Sequence, residues 1–252
     1  MAGHSKFKNI MHRKGAQDAK RAKKFTKLIR EITTATKLGQ PDPEFNPRLR
    51  AAITNAKAEN LPKDRIDNAI KKAAASQDGD NFEEVRYECY AFGGAALIID
   101  GLTDNRNRTV SDVKTIINKA GASIAEPGSV IFMFDRVGII IYSKLEIDEE
   151  DMLEVAIEAG ARECESDDGE HVIYASANDF NDVRTFLEKK FGEPNESRLS
   201  WKEKNPVEIS DLETAEKILH LIEHLEDNDD VQYVTGNHKF SKELIKKFAS
   251  NA

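Results

Sequence analysis

Three groups of residues in this sequence have types and spacings that could do chemistry. The first is His220-Leu221-Ile222-Glu223-His224, an H-x-x-E-H pattern whose two imidazoles, one helical turn apart, could share a zinc ion. On a helix, however, His220 and His224 fall opposite Ile218, Leu219 and Ile222, among Glu213, Glu216 and Lys217, and only Glu226 and Glu243 follow as further Glu ligands. A solvated polar face accounts for them without metal. The second group is the acids at 146–151 and 167–170. Neither run follows the spaced calcium loop with its terminal Glu, and each lies at an expected helix start or hairpin turn, where acids are favoured anyway.

The third group is cationic and differs in kind. Residues 1–30 hold ten Lys and Arg against the single acid Asp18, a net +9, whereas the whole chain of 252 residues carries −8. Mixed signs are usual on a solvated face, so a basic end on an acidic body points to a polyanion. The candidate nucleic-acid contacts are Lys6, Lys8, His12, Arg13, Lys14, Lys20, Arg21, Lys23, Lys24, Lys27 and Arg30. His4, Ser5 and Asn9 add donors for phosphate or ribose, and Phe7 could stack on a base or anchor the arm. The segment 103–109, TDNRNRT, follows a strand and opens a helix, so Asn105, Arg106 and Arg108 form a second anion-site candidate. The alternative there is helix capping, with the arginines paired to acids.

No G-x-x-x-x-G-K-[ST], G-x-G-x-x-G or G-x-S-x-G motif occurs, and no nucleophile–base pair stands out. No catalytic residue, cofactor, metal or small-molecule substrate is therefore expected. Cys89 and Cys164 are far apart and read as free thiols of a reducing compartment. The longest apolar runs, such as 137–142, have only strand length, and no secretory h-region is present. The basic start is rich in Lys and runs into a structural helix, which favours the cytoplasm over an organellar presequence.

Periodicity supplies the elements that hold these groups. Phe25, Leu28, Ile29 and Ile32 mark one stripe of a helix over 16–37. At about 100° per residue, Lys20, Lys23, Lys27 and Arg30 fall roughly opposite, as an outward rail whose reversal should leave the fold intact. Residues 2–15 have too little apolar surface to order themselves strongly, and an arm that orders on its partner is expected. Asn46-Pro47 starts a second helix and Leu61-Pro62 a third, completing a small bundle. Residues 1–72 carry +11, which leaves −19 for the rest.

Beyond the linker at 76–81 the period changes to two. Strands are expected on both sides of Gly93-Gly94, then a helix from 107 to 120, then strands at 124–125 and 130–134 around Glu126-Pro127-Gly128. Residues 138–202 give strand, helix, strand, strand, helix, strand, the split β-α-β pattern. The remainder, a strand at 207–209, a helix at 212–225 and a strand at 231–234, is too small to fold alone and should complete the sheet begun after 82. The expected class is α+β: an N-terminal three-helix bundle followed by two ferredoxin-like α/β units, one inserted in the other. The divisions are 1–76, then 82–136 with 205–240, and 137–204.

Three blocks, AGHSKFKNIMHRKGAQDAKRAKKFTKLIREI, TDNRNRTVSDVK and EPGSVIFMFDR, make the chain resemble the YebC/PmpR family over essentially its whole length. Phe7 stands where that family usually has Trp, and Cys89-Tyr90-Ala91-Phe92 precedes Gly93-Gly94 in place of a Gly-Tyr-Gly-Pro run, which loosens the specification of that turn. The resemblance implies a three-domain protein that acts as a DNA-binding transcriptional regulator, related to mitochondrial translational activators of cytochrome oxidase. Charge geometry points also to a ribosome-associated translation factor. No helix-turn-helix or base-reading helix stands out, and a basic arm on an acidic body suits a crevice of ribosomal RNA better than duplex DNA.

Overall fold

The computed structural model describes residues 17–75, 81–145, 147–167 and 169–245. Three helices come first: α1 (Gln17–Leu38), α2 (Pro47–Ala58) and α3 (Lys63–Ala75). The expected stripe is their core, where Phe25, Leu28, Ile29 and Ile32 pack with Leu49, Ala52, Ala56, Leu61, Ile66 and Ala69. Asn46 joins the first two helices. Its side chain accepts from Leu49 N at 3.0 Å, capping α2, and donates to the Ala35 and Gln40 carbonyls at the end of α1, both at 2.8 Å.

The first sheet has the order β3-β1-β2-β9, built from β1 (Glu83–Tyr90), β2 (Ala96–Thr103), β3 (Ser123–Ala125) and β9 (Val231–Gly236). Helices α4 (Arg106–Ala120) and α7 (Leu212–Glu226) cover one face, with Leu97, Ile99, Val113, Ile117, Ile218 and Ile222 between them. Ala96 and Ile98 point the other way and are equally buried, against Val130, Phe134 and Trp201. Burial on both faces explains why 95–99 is a continuous apolar run instead of an alternating one. The turn before it is tight: Gly93 and Gly94 adopt φ of 64° and 82°, and Ala91 N donates to Ala95 O at 2.8 Å.

The second sheet, β5-β6-β4-β7, is made by β4 (Phe134–Ser143), β5 (Glu163–Ser166), β6 (Glu170–Ser176) and β7 (Glu196–Glu203). Helices α5 (Glu149–Glu158) and α6 (Phe180–Phe191) pack on one face over Ile140, Tyr142, Ile173 and Ala175. All its pairs are antiparallel, which is the ferredoxin-like arrangement expected from the pattern. The first sheet repeats that layout, with β1 in the place β6 holds in the second. Strand β9 returns after the whole second unit to pair with β2, so one unit is inserted in the other. A short parallel pair, β8 (Val207–Ile209) with β10 (His238–Phe240), closes the re-entry.

Residues 130–134 depart from the strand expected there. Residues Ile131–Met133 form one 3-10 turn and β4 begins only at Phe134. The cause is the buried carboxylate of Glu88, which accepts from the backbone N–H of Gly128 (2.7 Å), Val130 (2.5 Å) and Ile131 (2.9 Å). Those donors cannot also serve a strand ladder.

The units are joined by specific contacts. Asp100 pairs across the hairpin with Arg86 (2.8 Å) and accepts from Trp201 Nε1 (2.8 Å), while the Arg86 and Arg136 guanidinium carbons lie 4.5 and 4.7 Å from the Trp201 ring centroid. Trp201 is only 6% exposed, so this cluster is a rivet between the sheets and not a stacking surface for a ligand. From the bundle, Asn55 of α2 makes two hydrogen bonds to the backbone of Ser197 in β7, donating to its carbonyl at 3.0 Å and accepting from its N–H at 2.8 Å.

Gly138 of β4 lies directly beneath Phe180, whose ring would sit 2.2 Å from an added Cβ. We expect Gly138→Ala to displace that ring from its core and lower stability by about 1–3 kcal/mol in urea unfolding, with the m-value unchanged.

Candidate nucleic-acid interface

Of the eleven N-terminal contact candidates, Lys6, Lys8, His12, Arg13 and Lys14 lie outside the described residues, as does the expected arm at 2–15. The other six are all on α1. Arg21 is exposed, its guanidinium 5.2 Å from the Phe25 ring, and Lys24 pairs with Glu59 of the bundle at 2.6 Å.

The expected outward rail is turned inward. Lys20 Nζ lies 3.1 Å from Glu223, and Lys23 Nζ lies 3.0 Å from the carbonyl and 3.4 Å from the carboxylate of Asp227. Lys27 donates to the Glu226 carbonyl at 2.5 Å. Arg30 donates to the Asp229 carbonyl and the Asp230 carboxylate, both at 2.6 Å. Four cations therefore cap the C-terminal end of α7, where unpaired carbonyls and the helix dipole concentrate negative charge. The stripe and the rail occupy the angular positions expected on the helix; periodicity does not supply the neighbour. A signal was present, since Glu223, Glu226, Asp227, Asp229 and Asp230 put five acids in eight residues.

The contacts differ in strength. Lys20 and Glu223 are both more than a third exposed, and such pairs contribute about 0–1 kcal/mol. Asp230 is 3% exposed and receives Arg30 together with Arg108 (2.8 Å), Thr109 Oγ1 (2.7 Å) and Thr103 Oγ1 (3.3 Å). Burial would raise this carboxyl, but hydrogen bonds from Arg108, Thr109 and Arg30 outweigh it and hold Asp230 below the usual carboxylate range.

That same carboxylate accounts for the second anion-site candidate. Asn105 caps α4 by accepting from Arg108 N at 3.0 Å, Arg108 is shared between Asp104 (2.7 Å) and Asp230, and exposed Arg106 approaches Glu83 at 3.7 Å. The capping alternative describes the segment better than an open anion site does.

Sequence reasoning passed over α3. Lys63, Arg65, Lys71 and Lys72 are exposed and, among the described residues, form no ion pair. Arg65 and Lys72 lie seven residues apart, on one side of the helix with Asn68 between them. Their signal, cations on the polar side of a short helix beside a basic start, was readable but was absorbed into the bundle's charge total.

The remaining constellations stay ordinary. His220 and His224 are exposed with ring centroids 6.4 Å apart, and among the described residues no three or more His, Cys, Asp or Glu are grouped to hold a metal ion. Burial pushes the Cys89 thiol up to about 12, far from a reactive thiolate. No helix among the described residues is long and apolar enough to cross a membrane.

A basic helical bundle docked on two acidic, ferredoxin-like units defines the class. Family comparison places the chain more closely. Residues 5–76 match the model of the TACO1/YebC protein N-terminal domain, and residues 82–238 match a model of transcriptional regulators, Transcrip_reg, described as the TACO1/YebC second and third domain. The chain belongs to the TACO1/YebC family. Among solved structures it is similar to a conserved hypothetical protein, Aq1575, from Aquifex aeolicus, at 44% identity and a TM-score of 0.85, over 93% of this chain and 97% of that one.

Removing the Asp230 charge leaves two arginines short of their acceptor. We expect Asp230→Asn to cost about 2–3 kcal/mol at neutral pH. Because the folded carboxyl titrates below its unfolded value of about 3.9, its contribution is complete above that pH and is lost as pH falls through the lower folded value. The gap between wild type and variant in urea unfolding should therefore shrink from pH 7 toward pH 2. Charge reversal at Lys23 and Lys27 would set carboxylates against the end of α7, and is expected to speed amide exchange in α1 while the two sheets stay protected.

Proposed function

We propose that this protein regulates gene expression by binding nucleic acid through its basic helical end. The observation that carries the reading is the separation of sign, +11 on residues 1–72 against −19 on the rest. The contact surface in this reading is the arm (Lys6, Lys8, His12, Arg13, Lys14), the exposed Arg21, and the α3 cations. The divisions 1–76, 82–136 with 205–240, and 137–204 are its functional units, acting in the cytoplasm. The family's designation supports a transcriptional regulator, and binding to DNA is the finer reading that the charge separation adds.

A second reading is favoured by one specific observation. The rail of α1 is committed to α7, so Lys20, Lys23, Lys27 and Arg30 are not arrayed toward a major groove, and contact falls to the basic start, Arg21 and the α3 cations. A basic end on an acidic body suits structured RNA, and a ribosome-associated translation factor contacting ribosomal RNA is the resulting alternative.

Ribosome co-sedimentation at rising salt, beside gel shifts on promoter and scrambled DNA, separates the two. A salt-resistant preference for one promoter sequence supports the regulator, whereas ribosome binding with only sequence-independent DNA affinity supports the translation factor. In either case, replacing Lys6, Lys8, Arg13 and Lys14 with Ala should weaken binding and reduce the magnitude of the log K against log salt slope by about 3–4. An unchanged slope removes the arm from the interface.

A further inference from the structure

We propose that the groove between α1 and α3 holds an unpaired nucleotide of a single-stranded nucleic-acid segment. This rests on the nucleic-acid reading above and names the form of nucleic acid that the bundle selects. The groove is open to solvent and offers about 770 Å³, enough for one or two nucleotides. Its floor is apolar, formed by Ile29 of α1 and by Ala69 and Ala73 of α3. The small alanine side chains leave depth where a longer residue would fill it.

One wall is Phe82, the first residue after the linker, half-buried and steadied by the Arg30 guanidinium 5.2 Å from its ring centroid. An aromatic wall beside an apolar floor matches the faces of a base, which every nucleotide has and a duplex hides. The rim is cationic. Lys72 is exposed and forms no ion pair among the described residues, and Lys37 stands across the groove, hydrogen-bonded to Asn81 at 3.1 Å. These positions suit the phosphates on either side of an inserted base. Arg65, on the same side of α3 as Lys72, continues the cationic track beyond the groove.

Asp104 offers a base an acceptor at the end of the groove away from the rim cations. It lines the far end of the groove, and its carboxylate, paired with Arg108 through one oxygen at 2.7 Å, can accept through the other from a base N–H such as the imide of uracil or thymine. A B-form duplex presents no free base face to this site and gains only the rim charges.

Fluorescence anisotropy on the full chain tests the proposal with a short labelled oligouridylate, an oligothymidylate of the same length and the matching duplex. Phe82→Ala removes the wall, and Thr33→Tyr, at a half-buried groove position, fills the space without changing charge. Each should weaken both single strands about tenfold while leaving duplex affinity unchanged. Equal losses on single strand and duplex, or no loss on either, overturn the groove while leaving the broader nucleic-acid reading in place. A wild-type protein that binds none of the three overturns both. Because a variant could lose its fold, a photo-crosslink from 4-thiouridine in the bound oligonucleotide provides a second measurement on the unaltered chain. Attachment at the peptide bearing Phe82 or Lys72 supports the site, and attachment only elsewhere overturns it.

Discussion

The buried carboxylate of Asp230 is the point on which the arrangement of this molecule depends. One oxygen takes Arg30 from the N-terminal bundle, and the other takes Arg108, Thr109 and Thr103 from the start of α4 and the end of β2. Its own backbone carbonyl accepts from Leu102 N at 2.8 Å, at the irregularity where β9 meets β2. A single side chain therefore ties the bundle to the split unit and the late strand to the early hairpin. Such a group is costly to bury and stable only when fully paired, which makes the junction all-or-none: either every partner is in place or the charge must find water.

Much of the architecture could be read from the order of residues. Phe25, Leu28, Ile29 and Ile32 specify their helix because their spacing has one explanation, and the β-α-β-β-α-β pattern of 138–202 prescribes its own sheet order. The failures share a cause. Residues 130–134 have strand composition, yet a carboxylate forty residues earlier captures their donors, and no local pattern encodes that. The three-residue β10 has no local signal, because its parallel partner β8 is distant in sequence and both are too short to show a period. Angle alone locates the α1 rail, but a helix wheel knows only inside and outside. A polar face can be covered by polar partners, and here the end of α7 covers it.

The candidate interface was legible as a charge imbalance and much less so as a surface. Net charge counts Lys20 and Lys72 alike, whereas geometry separates them, one held by Glu223 and the other open to solvent. Segment 103–109 shows the same limit. Two arginines after a strand suggest an anion site, but Asp230, more than a hundred residues downstream, already occupies one of them. Pairing between distant segments decides which charges are available, and that information enters only with the fold.

The two hydrogen bonds between Asn55 and the backbone of Ser197 have one more consequence. Strand β7 is the outer strand of its sheet, and its free backbone groups would otherwise offer a template to any extended chain. An amide side chain from α2 occupies one such donor–acceptor pair, as an additional strand would, while the helix itself lies across the edge. The basic bundle thus serves as a guard against edge-to-edge self-association as well as a carrier of cations. A body stripped of its N-terminal helices would lose more than its charge contrast; it would expose an open β-edge and the hazard of polymerisation that goes with it.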